Sequence, residues 1–147
     1  MAITTNAITN SFKEDLLQGT QVFAAGAGNT FKLALYTSAA TIGADTTSYA
    51  VGIAGQVGDT GTYAAGGGAL VTALVSVNGT TAFVDYDDLS FTGVTLTARG
   101  ALIYNDTQAG DPSVCVLDFA GDKTATSGTF TIQFPDANDT QAIIRIS

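Results

Sequence analysis

The chain has 147 residues, of which thirteen are acidic, five are basic and none is histidine, so its net charge at pH 7 is −8. An excess of carboxylates cannot neutralise a row of phosphates, which argues against nucleic-acid binding and against an anionic membrane surface. The absence of histidine excludes Ser–His–Asp and Cys–His catalysis and removes the commonest metal ligand.

The length fits one domain over 1–147. Charged residues make up only 12% of the chain, against about 25% in ordinary domains. The polar surface must therefore be built mainly from Thr, Ser, Asn, Gln and Gly. The first ten residues lack a basic stretch followed by an apolar run, so we expect no secretion signal. No apolar run is long enough to predict a membrane-spanning helix.

A short helix is predicted at 11–18, within the stretch ITNSFKEDLLQGT. Ser11 and Glu14 have the spacing of a capping box. Glu14 and Asp15 would then lie in the first turn, where the helix dipole favours negative charge. Gly19 fits the position just after the helix, where a left-handed backbone is needed.

The apolar side chains of this segment recur at intervals of four, which predicts one apolar stripe on the helix. They are Ile8, Phe12 and Leu16, with Leu17 beside them. So short a helix is not stable alone in water, so the stripe must pack on its own sheet or on a neighbouring subunit. We favour its own sheet, because Gly19 and the Gly-rich segment at 26–28 let the chain fold straight back.

Most of the remaining chain is predicted to form β-strands separated by turn residues. In the first strand, 30–38, Phe31, Leu33 and Leu35 alternate with Lys32, Ala34 and Tyr36. Later strands are predicted at 69–77, 81–86, 89–97, 100–105, 114–119, 129–134 and 142–146. The turn signals between them are Asn78-Gly79, which is the strongest hairpin signal, Asp87-Asp88, Asp111-Pro112, Gly121-Asp122 and Pro135-Asp136.

The segment 39–68 is predicted to be a long loop region rich in Gly, Thr and Ala, with short edge strands at 48–53 and 61–65. Short strands at close spacing, without helical patterns between them, are typical of a β-sandwich or barrel. The sequence therefore predicts an all-β fold, an antiparallel and jelly-roll-like sandwich with one short N-terminal α-helix.

Asp59-Thr60-Gly61 matches the catalytic loop of aspartic proteases, and a symmetric dimer could supply two such aspartates. That mechanism needs paired carboxylates in a rigid, partly apolar site. Here the preceding residues are GQVG rather than an apolar strand, which favours a simple turn.

Asp85, Asp87 and Asp88 are weak candidates for a divalent metal site. Calcium needs six to eight converging oxygens, and the EF-hand spacing is absent. Alternation puts Asp85 and Asp87 on one face, which favours a solvated hairpin end. We expect no metal site and no cofactor.

Three other side chains are given structural roles. Cys115, the only cysteine, lies in an apolar run and is predicted to be a small buried residue. Arg99 and Arg145 border or interrupt apolar strands, and a structural ion pair or an interface contact is expected of each.

Several segments, in order along the chain, resemble a family of small virion structural proteins of tailed bacteriophages. They are ITNSFKEDLLQGT at 8–20, FKLALYTSAAT at 31–41, GTTAFVDYDDLSF at 79–91, TARGALIYND at 97–106, VLDFAGDKTATSGTFTIQFP at 116–135 and AIIRI at 142–146. The stretch 42–70 departs from the pattern. The resemblance implies a particle protein without catalytic residues, made in the host cytoplasm and located in the virion.

We therefore expect a non-enzymatic capsid decoration, or cement, protein, because the chain is compact, acidic and free of fibre-like repeats. The alternative is a tail or tail-fibre component with a glycan-facing loop at 42–66, and a remote alternative is a dimeric aspartic protease using Asp59. Expected partners are a second copy, as a dimer or trimer, and virion proteins such as the major capsid protein or tail proteins. The expected interface residues are Phe12, Leu16, Leu17, Tyr36, Tyr104 and Phe134.

Overall fold

The computed structural model describes residues 3–24, 26–50 and 53–147. Within these residues the strands are β1 (Ala7–Ile8), β2 (Phe31–Tyr36), β3 (Gly68–Leu70), β4 (Thr72–Asn78), β5 (Thr81–Tyr86), β6 (Leu89–Asn105), β7 (Ser113–Ile132) and β8 (Ile144–Ile146). The helix α1 (Asn10–Leu17) lies between β1 and β2.

The strands form two antiparallel sheets. The larger has the order β1-β7-β6-β2-β3, and the smaller has the order β4-β5-β8. Every strand pair is antiparallel. The expected fold class, an all-β antiparallel sandwich with one short N-terminal helix, is confirmed.

Two long strands replace four short predicted ones. β6 runs without interruption through the predicted break between 97 and 100, and β7 runs through the turn expected at Gly121-Asp122. Ala98 pairs with Lys123 and Gly100 with Asp118, so 119–122 form a bulge opposite one residue of β6. The turn residues form a bulge instead of a chain reversal, and the register of β7 against β6 shifts across this bulge.

The β4–β5 hairpin forms where it was predicted. Asn78 pairs with Thr81, so the loop consists of Gly79 and Thr80, and Gly79 has a φ of 57°. A positive φ at the first loop position suits glycine, as hairpin turns of the primed types require.

In the loop region, neither expected edge strand forms in the described residues. Ser48 makes a single bridge to Pro112, and Thr60 makes one to Tyr63. Part of the segment 48–53 lies outside the described residues. The chain here is held instead by scattered backbone hydrogen bonds, such as Tyr49 N–H to Asp111 O at 2.9 Å.

The start of α1 differs from the prediction. The N-cap is Thr9, without a side-chain capping bond, and there is no acidic residue in the first turn, so the Ser11–Glu14 capping box is wrong. The Thr9 hydroxyl instead donates to the Ser113 and Val114 carbonyls of β7. The helix N-cap, which is attached to the sheet in this way, therefore lies two residues before Ser11.

The end of α1 agrees with the prediction. Gly19 has a φ of 75°. The Gly19 N–H donates to Leu16 O at 3.2 Å, and the Thr20 N–H donates to Asp15 O at 3.0 Å. This pair of bonds is a Schellman motif, which satisfies carbonyls that the helix leaves free.

The main core lies between the two sheets and is closed by α1. Phe12 is buried there and meets the Phe23 ring edge-on, with 5.9 Å between centroids. Leu16 is partly buried against the same core, whereas Leu17 is 91% exposed. The expected packing is confirmed for Phe12 and Leu16 and wrong for Leu17, because the next residue along a helix is turned about 100° from the stripe.

A second core covers the opposite face of the larger sheet. The loop region lies over this face and contributes Ala40, Ile42 and Tyr49. Its other buried members are Ile3, Ala34, Tyr36, Leu102, Tyr104 and Val116. The larger sheet is therefore buried on both faces where β2 pairs with residues 100–105 of β6.

This second core corrects the expected exposure of two tyrosines. Tyr36 and Tyr104 are buried, because the loop covers the face on which they lie. The Tyr104 ring stacks on Tyr49 at 4.4 Å, and its hydroxyl donates to Gly66 O at 2.7 Å. Phe134 is partly buried against the main core and lies 5.7 Å from the Tyr86 ring.

Phe12→Ala should lower the free energy of unfolding by about 3–5 kcal/mol, the usual cost of truncating a buried phenylalanine. Leu17→Ala is the matched control, and a residue so exposed should change it by no more than about 0.5 kcal/mol. Urea unfolding of the isolated protein measures each. Equal effects of the two substitutions would contradict this placement of the helix.

The two buried tyrosines should respond differently to loss of the hydroxyl. Tyr104→Phe should cost about 0.5–1.5 kcal/mol, because it removes the bond to Gly66 O. The Tyr36 hydroxyl is buried with no hydrogen-bond partner among the described residues, so Tyr36→Phe should be neutral or stabilising. Thermal unfolding would show the difference, and the reverse order would contradict the packing of the second core.

Candidate interaction surface

Several side chains that could do chemistry hold the fold together. Cys115 is buried in the main core as predicted. Burial raises the pKa of its thiol to about 12. The thiolate is the reactive form of cysteine, so a thiol held protonated at neutral pH behaves as a small apolar side chain.

Asp59 caps a turn of the loop region. Its side chain is exposed, and Oδ1 accepts a hydrogen bond from the Ala65 N–H at 2.7 Å. Gly61, with a φ of 53°, lies so close to the backbone of Gly93 that a Cβ would come within 2.5 Å of it. The structure therefore shows the predicted turn, packed against β6.

The three aspartates near the end of β5 are used separately. Asp85 is only 1% exposed, and its Oδ1 accepts from the Tyr86 N–H at 2.9 Å. Asp88 is exposed and accepts from the Phe134 N–H at 2.8 Å, while Asp87 is exposed. The expectation that Asp85 shares a solvated face with Asp87 is wrong, because the chain covers Asp85. Among the described residues, no group of three or more His, Cys, Asp or Glu side chains is placed to hold a metal ion.

Burial raises the pKa of Asp85 above its ordinary value, and the carboxylates of Asp88 and Asp136 add to the effect. Hydrogen bonds from the backbone N–H groups of Tyr86 and Ile143 oppose it. Above the ordinary pKa, the unfolded chain releases a proton that the folded chain still holds, so stability falls as pH rises towards the raised pKa.

Asp85→Asn should remove this loss, because the amide oxygen can still accept from Tyr86 while carrying no charge. The variant should match the wild type at acid pH and become the more stable protein as pH rises towards neutrality. Urea unfolding over a pH series measures the difference, with the exposed Asp87→Asn as control. A difference that shrinks with rising pH would contradict the assignment.

Ion pairs tie neighbouring strands of the larger sheet. Arg99 Nε lies 3.1 Å from Asp118 Oδ1, which confirms the expected structural pair. The same Oδ1 accepts from the Ala120 N–H at 2.9 Å, so the pair also fixes the bulge of β7. Lys32 Nζ lies 3.0 Å from Asp106 Oδ2. Arg145 donates to the Thr140 carbonyl.

Residues 89–99 of β6 and 119–132 of β7 form a two-stranded part of the larger sheet, called the β6–β7 ribbon below. Its exposed surface carries paired hydroxyl groups. Ser90 and Thr131 lie 2.8 Å apart across the strands, as do Thr97 and Thr124. Cross-strand hydroxyl pairs stabilise a sheet without adding charge. This is the charge-poor polar surface that the composition predicts.

The most apolar exposed surface lies on β4, which is an edge strand of the smaller sheet. Leu74, Val75 and Val77 are 41%, 52% and 65% exposed, and Val71 just before the strand is 61% exposed. A groove beside the strand, with a volume of about 170 Å³, is lined by apolar side chains. They are Phe12, Leu16, Phe23, Val75, Ala82, Phe83, Val84, Ile144 and Ile146. The exposed part of these residues and of β4 is called the β4 surface below.

Sequence reasoning missed the β4 surface because the apolar run at 69–77 predicts a strand but does not show which of its side chains are exposed. One signal was available, since no charged residue occurs between Asp59 and Asp85. A long uncharged segment in an acidic chain indicates a surface on which charge would be unfavourable.

An open groove of about 640 Å³ lies between the N-terminal segment and the loop region. Its lining is rich in hydroxyl groups and carries one carboxylate, that of Asp45. The hydroxyl-bearing residues are Thr4, Thr5, Thr41, Thr46, Thr47 and Ser48.

Comparisons with known proteins gave no match, either with protein-family models, with curated proteins or with solved structures. In the part of the chain that the structure describes, no helix has the length and apolar character needed to cross a membrane.

Proposed function

We propose that the chain is a non-enzymatic structural protein of a tailed-bacteriophage virion, and that it decorates the capsid in many symmetric copies. The observation that carries the proposal is the use of its reactive side chains in the fold. Cys115 is a buried core residue, Asp59 caps a turn, and Arg99 pairs with Asp118. A protein whose reactive side chains are used in this way is suited to a structural role.

The resemblance to phage virion proteins gives the proposal its direction. The similar segments contribute α1 and strands of both sheets, which together form the framework around the main core. The dissimilar stretch, 42–70, forms much of the loop region and β3. Variation in a loop on a retained framework is the pattern expected when a scaffold is fitted to different particles.

The surface is also suited to the outside of a particle, where it meets solvent. With a net charge of −8 and few basic residues, the chain repels nucleic acid and other acidic proteins. The hydroxyl-rich ribbon gives it hydration without strong charge. Expected partners are the major capsid protein and neighbouring copies.

Cryo-electron microscopy of the phage particle whose genome encodes the chain tests the proposal. We expect density that fits the two-sheet framework at symmetric positions on the capsid exterior, and the chain in mass spectra of purified particles in many copies. Absence of the chain from purified particles would overturn the virion role.

The hydroxyl-lined groove favours a second candidate, a tail or tail-fibre component that contacts host surface glycans. Hydroxyl groups and one carboxylate, Asp45, can pair with sugar hydroxyls. Density at the tail instead of the capsid, together with glycan binding that is lost in Asp45→Ala, would select this candidate over decoration.

A further inference from the structure

β4 leaves one long edge of the smaller sheet open. It pairs with β5 on one side only and is 7 residues long. The strands at the other ends of the two sheet orders are shorter, since β1 has 2 residues and β3 and β8 have 3 each. The part of β7 beyond β1 also has no neighbouring strand on its outer side among the described residues, but it carries the bulge at 119–122 and the charged Asp122 and Lys123. Very short edge strands offer little to a pairing strand, whereas a long one is a template for it.

The backbone groups at the open edge belong to Val75 and Val77. The hairpin closes on the pair Asn78–Thr81, whose backbone groups face each other across the turn. Residues of an antiparallel strand direct their N–H and C=O alternately to the two sides. Ser76 therefore faces β5, and the N–H and C=O of Val75 and Val77 point away from it.

The usual protections of an edge are missing from the regular part of β4. Proteins block edges with Lys, Pro, charged side chains or bulges. The chain between Thr60 and Val84 contains no charged residue and no proline. The one irregularity lies between Thr72 and Leu74, and pairing with β5 is regular from Leu74 to Asn78.

We propose that β4 pairs with β4 of a second copy of this chain, antiparallel and about a twofold axis at Ser76. Val75 of each copy then lies opposite Val77 of the other, and their free backbone groups form hydrogen-bonded pairs. The two smaller sheets become one continuous sheet of the order β8-β5-β4-β4-β5-β8. Because a twofold interface joins the same patch on each copy, an edge that is open and antiparallel is complementary to itself.

Charge restricts where a second copy can bind. Each copy carries a net charge of −8, so two copies repel each other unless they meet on an uncharged surface. The β4 surface is such a surface. The exposed Asp87, whose N–H donates to the Val71 carbonyl beside the start of β4, lies at opposite ends of the joined sheet in the two copies.

The side chains add apolar area to the backbone pairing. Val75 and Ile146 are half-exposed and line the apolar groove together with the partly buried Leu16. Large exposed apolar patches mark interaction sites. The pairing does not depend on a virion role.

The solution mass of the purified wild-type chain is the first measurement. Light scattering at micromolar concentration should give a dimer, and a monomer or trimer would overturn the proposal. Val77→Lys should convert the dimer to a monomer, because a lysine at the open edge opposes strand pairing. Thr126→Lys, on the exposed part of the β6–β7 ribbon, adds the same charge elsewhere and should leave the dimer intact.

A cysteine at the axis tests the register. Residues opposite each other in a non-hydrogen-bonded antiparallel pair have Cα atoms about 4.5 Å apart, within the range of a disulfide. Ser76→Cys should therefore form a disulfide-linked dimer under mild oxidation. The wild type, whose Cys115 is buried, and the exposed variant Thr124→Cys should remain unlinked.

Together, the variants test separately whether β4 is the interface and whether its register is the proposed one. A dimer that persists in Val77→Lys and is not linked in Ser76→Cys would overturn β4 as the interface. Linkage of Thr124→Cys to the same extent would show random collision and would overturn the register. Each of these measurements uses purified protein and is independent of the particle experiment. A monomer in solution would overturn the β4 pairing and leave the virion role intact. Absence of the chain from particles would overturn the virion role and leave the pairing intact.

Discussion

The pairing of β6 with β7 is the interaction on which the rest of the structure depends. The two strands are 17 and 20 residues long, and β1 and β2 join the larger sheet only through them. Where they also pair with β2 and β1, the two strands supply side chains to both cores. Ala101 and Ile103 face the main core, while Leu102 and Tyr104 face the second.

A sheet that is apolar on both faces needs two covers, and this requirement explains the remaining elements. One face is closed by α1 and the smaller sheet, and the other by the loop region. A loop of this length inside a compact fold needs its own packing. Tyr49 provides it by stacking on Tyr104, and Tyr63 provides it through its hydroxyl oxygen, which accepts from the Leu35 N–H at 2.8 Å.

The sequence predicts the all-β class and most strands because alternation is a local property. It places β5 at its observed limits and finds the β4–β5 hairpin from Asn78-Gly79. It fails at Gly121-Asp122, because a bulge and a chain reversal use the same residue types. Only the pairing with β6 on both sides of the bulge shows that the strand continues, as Ala98 pairs with Lys123 and Gly100 with Asp118.

The candidate surfaces were harder to predict because exposure is not local. Tyr36 alternates with apolar residues of β2 and therefore looks exposed, but a loop distant in sequence covers it. Leu17 adjoins a buried stripe and is nevertheless the most exposed of the large apolar residues described. In each case the side chain's surroundings are set by an element that the local pattern does not contain.

The open edge of β4 can be understood from the arrangement of the other edges. β1 and β3 are short because the chain turns away into α1 and into the loop region, the two covers of the larger sheet. β4 is longer, because it runs alongside β5 as far as the hairpin turn at Gly79. An edge of this kind, uncharged in an otherwise acidic chain, is consistent with a partner that has the same edge.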